Sequence, residues 1–255
     1  MIKMMVSTDN LNLRSSGNLS AGNILLQLPL GHEVKIINAP EGEKFWEVET
    51  TVNGQVKNGF VSSRYLRQPL SDAKEKLISG AVKEWMRFNR GTGKENVAPF
   101  STIVGEYWAG LNIDLDGTDR DQPWSAAFMS FIIRQAGAYA DFIFNAAHAK
   151  YILDAKAKRN AGVTTAPFWL FRLGEHKPQL GDLVCKWREN RRTFDDLPSG
   201  GFKSHTDVIV EIADGKAKAI GGNVRESCTL SSFPLNSHGF LKDANNVFAI
   251  MRNNR

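Results

Sequence analysis

The patterning of this chain changes once, at Arg67-Gln68-Pro69-Leu70, and any fold has to respect that break. Before it, short β-rich runs follow one another: Leu11–Arg14, Ile24–Leu28, Glu33–Asn38 and Phe45–Val52, each bounded by Gly, Pro or Asn. Asn53-Gly54 then separates two such runs. It is the strongest local hairpin signal in the chain, because both central turn positions need positive φ. Five short strands in so few residues predict a small all-β barrel. After the break, Ser71 or Asp72 can cap a helix whose apolar positions Leu77, Ile78, Ala81, Val82, Trp85 and Met86 share one face, ending near Asn89. Asp121 as N-cap and Pro123 in the first turn predict a second helix over 123–138, and a third is predicted over 146–158. Strand-like runs at 182–187, 206–212, 217–220 and 247–252 close the chain, with Asp214-Gly215 turning the middle pair. Helices first and an antiparallel sheet afterwards make an α+β domain. The expected division is 1–68 and 69–255.

Composition narrows the function classes. Hydrophobic residues at 42% and charged residues at 23% are ordinary globular usage, which excludes wholesale disorder. The net charge of +5 permits contact with acidic polymers, yet the basic residues form no stripe or run, so no nucleic-acid partner is expected. No apolar stretch approaches the ~20 residues that span a bilayer. The first ten residues carry too little apolar length for a secretory signal. Production in the cytoplasm is therefore expected, with release of the phage type, a dedicated export route, or a leader already removed. Cys185 and Cys228 make no CxxC pair and are expected as separate buried thiols. The five histidines lack HxxxH or HExxH spacing, and Asp114, Asp116, Asp119 and Asp121 lack the glycine and terminal glutamate of a calcium loop. No metal and no cofactor is expected.

Three residues carry most of the chemical interest. Ser125 falls in the first turn of a helix, where free N–H groups and the dipole favour developing negative charge. His205 opens the strand SHTDVIVEI beside the Gly-rich loop at Ser199-Gly200-Gly201, where an imidazole could act as general base. Asn223, in AIGGNV, could orient that imidazole through one ring nitrogen. Taken singly, these are an ordinary capping serine, a loop-end histidine and a turn asparagine. His148, in NAAHAKYILDA, is read first as a core hydrogen-bonding residue, with substrate binding or service as a second acid as the alternatives. Cys185, mid-strand after GDLV, is a poor nucleophile.

Taken together, the motifs resemble known families. LNLRSSGNLSAGNILLQLPLGHEVKII followed by FWEVETTVNGQVKNGFVSSRYL resembles the bacterial SH3 domain, with Phe60 where that family usually has Trp. PWSAAFMSFIIRQAG, PQLGDLVC, SHTDVIVEI and IGGNV, in that order, resemble papain-like amidohydrolases of the NlpC and CHAP type. The match is with a bacterial branch that shares EWxxF, YW, PWSAAF, AHxxYI and GGNV and carries serine where the classical families have cysteine. The resemblance implies an SH3-like barrel followed by a papain-like domain. It also implies hydrolysis of a peptidoglycan amide bond by Ser125, His205 and Asn223, with the SH3 module holding the wall. Ser125 Oγ is then expected to face His205, with Asn223 on the far side of the ring and Trp124 and Tyr107 along a substrate groove. Two rival readings keep the fold: a silent module that binds wall peptide or a partner protein, and a serine-dependent esterase or acyltransferase.

Overall fold

Asn53 and Gly54 turn a tight hairpin in the computed structural model, which describes residues 1–255, with φ of 51° and 76° at the two turn positions and Val52 paired to Gln55. That hairpin joins β5 (Phe45–Val52) to β6 (Gln55–Ser62). Around it lie β1 (Lys3–Val6), β2 (Leu11–Arg14), β3 (Ile24–Leu28), β4 (Glu33–Asn38) and β7 (Leu66–Arg67). The seven form one antiparallel sheet in the order β3-β2-β6-β5-β4-β1-β7. Alternation puts Val6, Leu13, Leu28, Val34, Val48 and Val61 into its core, each fully buried. The sequence reading missed β1 and β7, a short pair (Met5 with Arg67, Val6 with Leu66) whose partner strand lies sixty residues away rather than across a turn. Arg14 orders the following loop, donating to Ser20 O at 2.7 Å and Asn23 Oδ1 at 2.8 Å. Gly59 is required where β2 and β6 cross, because a Cβ there would stand 2.6 Å from Arg14 O.

The chain is α+β, with two antiparallel sheets and four helices, and divides into Met1–Glu75 and Lys76–Arg255. The division falls within helix α1 (Asp72–Arg87). Ser71 caps that helix through Lys74 N at 3.4 Å, as its position predicts. Glu75 fastens the linker: its carboxylate takes both Arg67 terminal nitrogens (2.5 and 2.8 Å) and Leu70 N–H (2.7 Å).

The second unit continues with α2 (Phe100–Ala109), α3 (Ser125–Ala136) and α4 (His148–Asn160). Its six strands are β8 (Phe168–Phe171), β9 (Leu183–Trp187), β10 (Ser204–Ala213), β11 (Lys216–Gly221), β12 (Thr229–Pro234) and β13 (Val247–Asn253). They form an antiparallel sheet in the order β12-β11-β10-β9-β13-β8. Val184, Ile209, Ala217, Ala219, Phe233, Val247 and Ile250 pack together on it. An aromatic cluster binds the helices to one another, with Tyr107 and Phe128 both against Trp124. The helix carrying Ser125 starts at Ser125 itself rather than at Pro123; Asp121 sits in the preceding loop at φ 60° and does not cap it. Helix α2 has no counterpart among the helices expected from the sequence; Thr102, Ile103, Val104 and Gly105 within it are all weak helix formers. No helix is long and apolar enough to cross a membrane.

Candidate active site

Two helix starts meet at the site. Ser125 is the first residue of α3 and His148 the first residue of α4. Ser125 Oγ lies 2.7 Å from His148 Nε2. The other ring nitrogen, Nδ1, is held by Thr206 Oγ1 at 3.0 Å and by the hydroxyl of Tyr151, one turn along α4. Those two hydroxyls are themselves 2.9 Å apart. Both hydroxyls can accept as well as donate, so the contacts accommodate the tautomer in which Nδ1–H donates to them and Nε2 accepts from the serine. Burial pushes the imidazole well below its ordinary 6.5; the neighbouring His205, Arg188 and Lys186 add to that push and Asp207 opposes it. The start of α4 adds its positive end to the same effect. His148 is thus neutral at pH 7, the state a general base requires.

His205 stands behind this pair, its ring centre 5.2 Å from that of His148. It does not bond Ser125. Its Nε2 donates instead to Asp207 Oδ1 at 2.7 Å, two residues along β10, and Lys186 Nζ lies 2.9 Å from Asp207 Oδ2. Burial alone would raise the Asp207 carboxyl, but His205 and Lys186 outweigh it and hold the group well below the usual carboxylate range. The expected Ser125–His205 contact is therefore replaced by Ser125–His148, because His205 is engaged by the carboxylate on its own strand.

Asn223 also differs from expectation. It occupies the left-handed region at φ 53°, just past β11. With its side-chain amide assigned the orientation that satisfies both ends, its nitrogen donates to Glu95 Oε2 at 3.3 Å and its oxygen accepts from the Trp124 backbone N–H at 3.1 Å. Glu95 Oε2 also takes the indole N–H of Trp124 at 2.5 Å. Asn223 and Glu95 together brace the residue before Ser125, and Asn223 orients no imidazole. Trp124 and Tyr107, expected along a substrate groove, are core residues with 1% and 0% exposure. Tyr107 donates to the buried Glu84 at 2.7 Å, and both rings lie in the aromatic cluster. Cys185 and Cys228 are free, buried thiols, and burial pushes the Cys185 thiol up.

Sequence reasoning passed over Tyr151, Thr206, Asp207 and Glu95. The spacing held two signals: His148 and Tyr151 lie three apart on one helical face, and His205 and Asp207 lie two apart on a strand. Two glycines let the parts approach. A Cβ on Gly221 would lie 1.7 Å from Asp207 Oδ1 and 2.9 Å from His205 Nε2, and one on Gly222 would lie 2.6 Å from the Trp124 ring. Asp207 cannot swing aside without breaking its bonds to His205 and Lys186. Gly221→Ala should therefore lower stability by about 1–3 kcal/mol or more, read from urea denaturation. Unchanged stability would show that the carboxylate has room to move.

Residues 92–254 match the model of a family described as "Uncharacterized protein conserved in bacteria (DUF2272)". A comparison with curated proteins finds no match. Among solved structures, NlpC2 from Trichomonas vaginalis is 14% identical at a TM-score of 0.33, over 99% of this chain and 73% of that one. NlpC1 from the same organism is 11% identical at a TM-score of 0.33, over 99% and 69%. Superpositions that loose carry no argument about mechanism. The family match spans most of the chain and includes the Ser125–His148 pair, so this protein belongs to that bacterial DUF2272 family.

Proposed function

We propose that this protein is a serine-dependent acyl hydrolase in which Ser125 is the nucleophile and His148 the general base, acting on amide bonds of peptidoglycan stem peptides. The observation that carries the reading is the 2.7 Å contact between Ser125 Oγ and a neutral imidazole whose other nitrogen is already held. Serine is too weakly acidic to be stored as an ion pair, so the base has to take its proton during attack. In the proposed step Ser125 Oγ bonds to the substrate carbonyl carbon while its proton passes to His148 Nε2. N–H groups in the first turn of α3, which have no acceptor within the helix, face the developing oxyanion. Collapse breaks the carbon–nitrogen bond, and the leaving amine takes the proton from Nε2. Water then attacks the acyl-serine by the same route and restores Ser125. Thr206 and Tyr151 position the ring throughout.

The substrate class rests on the sequence resemblance to NlpC and CHAP enzymes, which also supports a papain-like second unit. The SH3-like reading of the first unit and its role in holding the wall rest on the motifs quoted above. Attachment of this kind raises local concentration without adding contacts at the scissile bond. One observation favours a silent binding module instead: Ser125 is only 7% exposed and His148 4%.

A fluorophosphonate reagent separates these readings. Ser125 should be the labelled residue by peptide mass analysis, and Ser125→Ala should not label. Incubation with purified peptidoglycan should release muropeptides with the native chain and none with Ser125→Ala. Absence of both label and product would sink the hydrolase reading in favour of binding. Labelling without muropeptide release would move the substrate to esters or other acyl donors.

A further inference from the structure

Trp187 and Ser204 are the last paired positions of β9 and β10. One step further out, Arg188 N–H donates to the Lys203 carbonyl at 2.9 Å, so the ladder goes on and sets two cations opposite one another. Both side chains are exposed, and neither makes a hydrogen bond or ion pair. Like charges directly opposite on paired strands are destabilising.

The neighbouring cations are satisfied. Arg191 pairs with Asp243, Arg192 with Glu189 at 3.3 Å, and Arg172 with both Asp195 and Glu175. Glu189, next to Arg188 in sequence, has its Oε1 engaged by Arg192 and by Lys203 N–H at 3.2 Å. Strand alternation puts Arg188 on the side of Lys186. Lys186 reaches Asp207, and Asp207 holds His205 against His148. Lys186 and Asp207 cancel, which leaves the charge of Arg188 unbalanced at the edge of the site. Its field is felt inside, since Arg188 is among the groups that disfavour protonation of both His148 and His205.

We propose that Arg188, with Lys203 beside it, binds a carboxylate on the acyl substrate, so that Ser125 is presented with acidic acyl groups in preference to neutral ones. The inference rests on the hydrolase reading and adds to it the charge of the substrate. Arginine suits the task because its planar fork matches a carboxylate with two parallel hydrogen bonds. The pair of cations opposite each other is relieved when an anion lies between them.

The test compares kcat/KM for p-nitrophenyl hemisuccinate and p-nitrophenyl butyrate, which differ in the terminal carboxylate. The native chain should favour the hemisuccinate, and added salt should shrink that preference. Arg188→Glu should reduce the preference about ten-fold or more, and Arg188→Lys should reduce it less. An unchanged preference in Arg188→Glu overturns the proposal. Succinate alone should raise the Tm of the native chain and leave that of Arg188→Glu unmoved; equal shifts in both, or none in either, also overturn it. The melting experiment needs no turnover. Failure of both esters to react, with the succinate effect intact, therefore counts against the hydrolase reading and supports the carboxylate site.

Discussion

Replacing His148 by glutamine should slow fluorophosphonate modification of Ser125 by roughly 10²–10⁴-fold, the usual contribution of a positioned general base. Glutamine keeps much of the side-chain volume and can still hydrogen bond, but it cannot take a proton. His205→Gln should slow the reaction far less, because that imidazole is bonded to Asp207 and not to the serine. The reverse order of effects would restore the His205 assignment implied by the family resemblance. The pH profile adds a second check. Burial holds His148 well below 6.5, so its basic form persists as the medium is acidified. The rate should stay flat through pH 6.5 and fall only when the pH drops to the lowered value. A midpoint at or above 6.5 would exclude His148 as the base.

Asp207→Ala should be the most damaging single change to stability, costing about 3–5 kcal/mol in urea denaturation, the range found when one partner of a buried ion pair is removed. Asp207 is fully buried and Lys186 is 12% exposed, so neither charge is well hydrated. Without the carboxylate, the ammonium of Lys186 and the Nε2–H of His205 lose their shared acceptor. Adding Lys186→Met should recover a large part of the loss, because the stranded charge is then gone as well. If the double variant is no more stable than Asp207→Ala alone, the destabilisation comes from the His205 contact or from packing rather than from the unpaired ammonium.

The elements legible in the sequence were those fixed by neighbours along the chain. Asn53-Gly54 specifies its turn by backbone preference alone, and Ser71 caps α1 from three residues away. The apolar face of α1 follows from local spacing through Trp85, although Met86 proves exposed, and the helix expected from 146 begins at His148. Ser125 was recognisable as a first-turn residue for the same reason. Its partner was not, since nothing in the spacing of NAAHAKY shows how α4 lies across α3. Asn223 looked like a histidine partner because it follows the strand next to His205, yet its left-handed backbone turns the amide toward Trp124. Trp124 and Tyr107 were aromatic residues near a candidate serine; whether such a ring lines a groove or fills a core depends on packing from distant segments, here Phe88 and Phe128.

A helix frays from its ends, and opening one terminal turn costs far less than melting the middle. Ser125 and His148 both occupy such ends. Unwinding the first turn of α4 would carry the imidazole away from the serine while Thr206, fixed in the sheet, stays where it is. Where that turn opens locally, competence of the pair would follow helix order at the terminus rather than the global stability of the fold. Because Ser125 is otherwise enclosed, such an opening would couple admission of a ligand to disassembly of the dyad.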